Sequence, residues 1–133
     1  MKFKFLSRYR DEGLLILRIG IGVMFLFHGG PKLLAGPDKW HQVGSALQYL
    51  GIDFFPTFWG LLAALSEFGG GMCLIAGFLF RPACLMLAAT MLVATNMHLG
   101  RGDGLMGASH ALESGILFVS LMLIGPGRFS FDK

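Results

Sequence analysis

The stretch Phe54–Phe80, FFPTFWGLLAALSEFGGGMCLIAGFLF, decides the fold. It carries a single charged residue, Glu67. About 20 predominantly apolar residues in a helix cross a bilayer core of ~30 Å, so this stretch can span, tilted or projecting at one end. It shows no alternation of apolar and polar residues, which argues against a barrel strand. Gly60, Ala63, Ala64, Glu67, Gly70 and Gly71 recur at three-to-four-residue spacing and share one helix face. Small residues let transmembrane helices approach closely, so Glu67 is expected to point into a bundle. A carboxylate at mid-membrane cannot reach the headgroups. It must be protonated or paired.

Outward from this segment the pattern repeats. Further apolar spans are expected over 14–34, 82–99 and 105–124. The chain of 133 residues is 54% hydrophobic and 14% charged, whereas soluble domains are about a quarter charged. Twenty glycines are too many for a soluble helical bundle, but they suit contacts between membrane helices. The reading is an all-α, four-transmembrane-helix bundle forming one integral domain over residues 1–133, with the lipid bilayer as its solvent.

The connections follow from glycine and proline. Arg81-Pro82 is expected to break the second span from the third and fold them into an antiparallel hairpin. Gly100–Gly104 reads as a loop, and Gly125-Pro126-Gly127 ends the fourth span. Between spans one and two, Gly36-Pro37 starts and Gly51 stops a short helix over 37–50. Trp40, Val43, Leu47 and Leu50 give it an apolar face, with Asp38, Lys39, Gln42 and Gln48 largely elsewhere, so it is expected to lie on the membrane surface.

Charge distribution sets orientation. Lys2, Lys4, Arg8, Arg10, Arg81, Arg128 and Lys133 flank one side, and Lys32, Lys39 and Arg101 the other. This predicts both termini in the cytoplasm. The basic N-terminus reads as the flank of a retained helix, because the following apolar run is too long for a secretory signal and lacks a clear cleavage site. The basic residues form no stripe, which excludes nucleic acid as a partner class. Cys73 and Cys84 form no Cys-x-x-Cys motif and read as small apolar fillers, with pairing across consecutive helices left open.

The candidate site residues are the polar ones inside the spans: Arg18, His28, Lys32, Glu67, Asn96, His98, His110 and Glu113. All but Arg18 converge in depth on the outer half. They are candidates for ligand binding or proton relay, since an ionisable residue within a membrane span is a functional-site hypothesis by default. Arg18 lies toward the cytoplasmic end, where it can snorkel, pair with Glu67 or another buried acceptor, or touch a ligand. His110 and Glu113, at i and i+3, with His28 and His98 at similar depth, could hold a metal, and two facing histidines a haem. Neither spacing is diagnostic.

These residues and their order resemble the DoxX family of small bacterial inner-membrane proteins. The resemblance rests on Leu17-Arg18-Ile19, Phe25-Leu26-Phe27-His28-Gly29 and Lys32-Leu33; on Ala64-Leu65-Ser66-Glu67 followed by Gly70-Gly71; on Gly77-Phe78-Leu79-Phe80-Arg81-Pro82; and on Gly125–Ser130 at the end. It implies a four-helix protein of the inner, plasma membrane. It also implies an association with redox and thiol chemistry, since the family name looks toward the small subunit of an archaeal thiosulfate:quinone oxidoreductase. Arg18, His28, Lys32, Glu67 and Glu113 are the polar positions it carries over.

Three functions remain open at this stage. One is a redox-associated subunit binding a quinone-like or other small ligand in the outer half, with Phe25, Phe27, Trp59 and Phe68 lining the apolar part and His28 or Glu67 at the polar end. Quinone is the favoured cofactor class, ahead of haem or a metal. The second is a non-enzymatic accessory or scaffold subunit of a soluble or membrane oxidoreductase. The third is a small transporter working as a homo-oligomer. No self-sufficient catalytic motif is present.

Overall fold

Helix boundaries in the computed structural model, which describes residues 2–132, are set by backbone stops that the sequence placed only approximately. Met1 and Lys133, the latter counted among the inside charges, lie outside the described residues. After a short 3-10 turn at Lys4–Tyr9, α1 runs Arg10–Ala35, with Asp11 and Glu12 in the first turn where the helix dipole favours acids. Gly36 breaks it, and Pro37 opens α2, Pro37–Gly44, which continues as a 3-10 turn over Ser45–Leu50. The remaining helices are α3, Pro56–Ala76, α4, Phe80–Gly100, and α5, Gly104–Ile124. The four long helices are apolar enough to span a membrane. The shorter one lies between the first two of them, as the sequence led us to expect.

The largest boundary difference lies at the α3–α4 turn. The second span ends at Ala76 rather than Phe80, because Gly77 takes φ +68° and closes a Schellman-type stop. The Gly77 amide bonds the Leu74 carbonyl at 3.3 Å, and the Phe78 amide bonds that of Cys73 at 3.1 Å. Pro82 falls inside the first turn of α4, where its missing N–H costs nothing. The free amides of Leu79 and Phe80 are capped instead by the Asp132 carboxylate, at 3.0 and 2.8 Å. The C-terminal segment thus folds back as a clamp on this turn.

α3 is the central helix. It packs against α1, α2 and α4, and α4 packs against α5. At Gly29 of α1, a Cβ would lie 2.5 Å from the Phe68 nitrogen and 2.9 Å from the Ala64 carbonyl oxygen, so the two backbones touch. The short helix is seated as closely. A side chain at Gly44 would strike the Pro56 carbonyl, and one at Gly60 the carbonyl of Trp40. α2 therefore crosses the start of α3 backbone on backbone, which a merely surface-lying helix would not need. α1 and α5 keep their backbones apart and meet through rings. Phe25 and Phe118 stand edge to face at 5.0 Å, and His28 and His110 have centroids 5.5 Å apart.

The buried centre is apolar and includes Leu74, Phe80, Cys84, Leu87 and Phe118. The outside is apolar too. Ile16, Phe27, Leu34, Met106, Ile116 and Leu123 all stand exposed. Such a surface would be a liability in water, but it is the expected partner of lipid chains.

Candidate functional site

Gly29 explains how Glu67 finds its partner. With no side chain on α1 at this level, the α3 backbone moves in, and the Glu67 Cβ lies 2.9 Å from where a Gly29 Cβ would be. Lys32 is the next residue up on the same face of α1. Its ammonium reaches down and donates to both carboxylate oxygens of Glu67, each at 3.0 Å. The Glu67 side chain is 4% exposed and that of Lys32 29%. The carboxylate is thus buried and paired, while the ammonium keeps one side open. The Lys32 carbonyl accepts from the Trp40 indole at 2.9 Å, which ties α2 to the same point.

The ion pair borders a partly open cavity of about 530 Å³ lined by α2 with its 3-10 extension, α3 and α4. This volume falls within the ~300–1,000 Å³ typical of small-molecule sites. Apolar lining comes from Leu47, Leu62, Val93 and Met97, and polar lining from Gln42, Gln48, Tyr49 and Arg101, besides the pair itself. Trp59 also lines it, and its indole N–H is buried with no acceptor. A buried donor without a partner costs about 1–3 kcal/mol, so an acceptor atom bound here would be favoured.

Of the aromatic residues expected around a ligand, only Trp59 borders this cavity. Phe25 turns into the core against Phe118, and Phe27 is 70% exposed on the outer surface. Phe68 and His28 also lie outside the lining. The reason is rotational. A few tens of degrees around a helix separate the ligand face from the lipid face, and residue type alone does not distinguish them.

The other polar residues are dispersed. Arg18 lies 14 residues before Lys32 on α1, about 21 Å along the axis, and does not meet Glu67. It is fully buried, and its guanidinium is spent on backbone carbonyls. It donates to Leu74 at 2.9 Å and Ile75 at 3.0 Å on the last turn of α3, and to Pro126 at 2.9 Å and Phe129 at 2.7 Å in the C-terminal segment. A cation at a helix C-terminus is favoured by the dipole, and the fork of donors satisfies carbonyls that have no helical partner.

Asn96 back-bonds to the Leu92 carbonyl of its own helix at 3.0 Å, and His98 pairs with Asp103 in the following loop at 2.8 Å. His28 and His110 meet as tilted rings, 41° between planes, outside the cavity lining. Among the described residues, no three His, Cys, Asp or Glu side chains gather as metal ligands would. Glu113 is exposed on the outer face of α5, nine residues from its start and so near mid-membrane, and it enters none of the ion pairs among the described residues.

The sequence reading missed the cavity's polar rim. Gln42 and Gln48 were assigned to the wet side of an amphipathic helix, and Arg101 to a loop. Their sixfold spacing carries no signal until α2 is laid over the α3–α4 seam.

Comparison with known proteins agrees with the geometry. The DoxX family model matches residues 13–99. The inner membrane protein YqjF of Escherichia coli (strain K12) is 31% identical over 132 residues, covering 96% of this chain and 95% of its own. No solved structure matches the chain.

Proposed function

The chain belongs to the DoxX family of membrane proteins, and on that premise we propose that it is a redox-associated subunit binding a quinone-like ligand in the outer half of the bundle. It sits in the bacterial inner membrane with both termini on the cytoplasmic side. The observation that carries the reading is the unpartnered Trp59 N–H on the wall of the cavity that the Lys32–Glu67 pair borders. A quinone offers carbonyl acceptors at its head and an apolar ring to the lining. Lys32, with one side open, donates to the second carbonyl, and Glu67 exchanges one of the two protons that accompany the two electrons passed between the quinone and a partner oxidoreductase. His28 and His110 lie on the far side of α1 and serve as a proton relay only if water connects them.

The test is saturable quenching of tryptophan fluorescence by a short-chain benzoquinone in detergent. The parent protein is expected to quench to a plateau, and Trp59→Phe to lose the saturable part. Purely linear, unsaturable quenching in the parent would refute the reading.

One observation favours a second reading, an accessory subunit docked on a partner or a second copy. A charged Glu113 facing lipid near mid-membrane costs several kcal/mol unless it is met by another chain. Crosslinking from cysteine placed at Ile116, beside Glu113 on the outer face, should trap a dimer or a partner in membranes. A chain that stays monomeric and unlinked in its native membrane rules this reading out.

A further inference from the structure

A second depression, about 250 Å³ and almost wholly apolar, lies along the α3–α4 seam below the cavity. Leu65, Gly70 and Cys73 line it from α3, and Leu79 from the turn with Pro82 and Ala83 from α4. Ser66 and Met86 border both spaces, so the depression adjoins the cavity across these two side chains. The helices are antiparallel here. Ser66 to Cys73 descends α3 while Met86 to Leu79 descends α4, and each is seven residues, about 10 Å of axial length. Gly70 lets α4 pack close to α3 beside the furrow, since a Cβ there would lie 2.9 Å from the buried Leu87 side chain.

The two spaces differ in chemistry. The upper one offers donors: the Trp59 N–H, Lys32, Lys39 and Arg101, against Glu67 as the only acid. The lower one offers none. A head rich in oxygen acceptors fits above, and a chain with no polar atoms fits below.

We propose that the site takes a tailed amphiphile, a quinone ring seated at Trp59 and Lys32 with its apolar tail laid down the α3–α4 furrow past Ser66 and Met86. This rests on the quinone reading above and adds to it how the ligand is oriented and how it enters. The tail leads directly into lipid, so loading occurs sideways from the bilayer and no water-filled channel is needed. Met86 is the junction, where a flexible thioether can yield to a passing chain.

The test compares a tail-less benzoquinone with its decyl-tailed analogue by saturable tryptophan quenching, in parent, Cys73→Leu and Ala83→Leu proteins in one detergent, both residues lining the furrow and not the cavity. Detergent partitioning is common to all three and cancels in the ratio of the two affinities. Both variants are expected to bind the tail-less ring as the parent does and to lower the tail's advantage by about tenfold, the worth of roughly two buried methylenes. Using two variants guards against one that fails to fold. An unchanged ratio in both folded variants overturns the furrow while leaving the quinone site standing. Failure of either quinone to bind the parent saturably overturns the functional reading itself. Displacement of the decyl analogue by phosphatidylglycerol, but not by the tail-less ring, would assign the furrow to a phospholipid chain and overturn the proposal.

Discussion

Replacing Arg18 with Met should loosen the cytoplasmic end of the bundle without touching the cavity. Met keeps the length and apolarity of the stem but removes every donor. Four carbonyls lose the guanidinium, those of Leu74, Ile75, Pro126 and Phe129, and that of Leu74 keeps the Gly77 amide at 3.3 Å. Bonds from a charged donor contribute about 1.5–3 kcal/mol each, but those in the partly buried C-terminal segment can be replaced by water, so we take about 1 kcal/mol apiece and about 4 kcal/mol in all. At about 4 °C per kcal/mol for a chain of this size, the melting temperature in detergent should fall by roughly 15 °C. Arg18→Lys should recover less than half, because an ammonium cannot fork to two separate pairs of carbonyls. Hydrogen exchange supplies the spatial check. The amides of Phe131 and Asp132 bond to Ala76 and Gly77. With half of the lost energy on that segment, about 2 kcal/mol, they should exchange about 30-fold faster in the Met variant. A melting temperature within about 3 °C of the parent, or full recovery by Lys, would refute the clamp, since either lies well outside the scale just worked. So would unchanged exchange at Phe131 and Asp132 alongside faster exchange near Glu67.

Two further outcomes follow from the site. Lys32→Met should destabilise by about 3 kcal/mol, because it strands a buried carboxylate, and adding Glu67→Gln should restore at least half of that. Glu67→Gln alone should be milder, since Lys32 keeps a path to water; thermal unfolding of the three proteins reads the order, and a milder Lys32→Met would contradict the pairing. Gly60→Ala pushes a methyl into the Trp40 carbonyl and should lift α2, at about 1–3 kcal/mol for overpacking. Tryptic cleavage at Lys39 should then accelerate, and cleavage at the parent rate would mean that α2 is not held there.

The Arg18 case shows where sequence reading stops. Its burial was not legible, because a long side chain near the cytoplasmic end of an apolar span can snorkel as well as pair. Nor were its partners, because backbone carbonyls carry no mark in a sequence. They become acceptors only when a helix ends beside them, here at Gly77, and when the C-terminal segment returns. Asp132 and Arg81 belong to the same class. Asp132 caps α4 and Arg81 donates to the Met122 carbonyl at 2.9 Å on the last turn of α5, yet in sequence they read only as a terminal acid and a flanking base.

By itself the sequence determined the solvent, the number of spans, the short helix between the first two and the need of Glu67 for a proton or a partner. Hydrophobic length and the cost of burying charge leave no alternative on those points. The tertiary structure decided which cation answers Glu67, that α2 roofs a cavity instead of merely lying on the membrane, and that His28, His98 and Glu113 turn away from it. Depth along a helix is written in residue number. Depth excludes Arg18, but rotation about the axis and closeness of approach depend on glycine contacts between helices far apart in sequence, and these bring Lys32 onto Glu67.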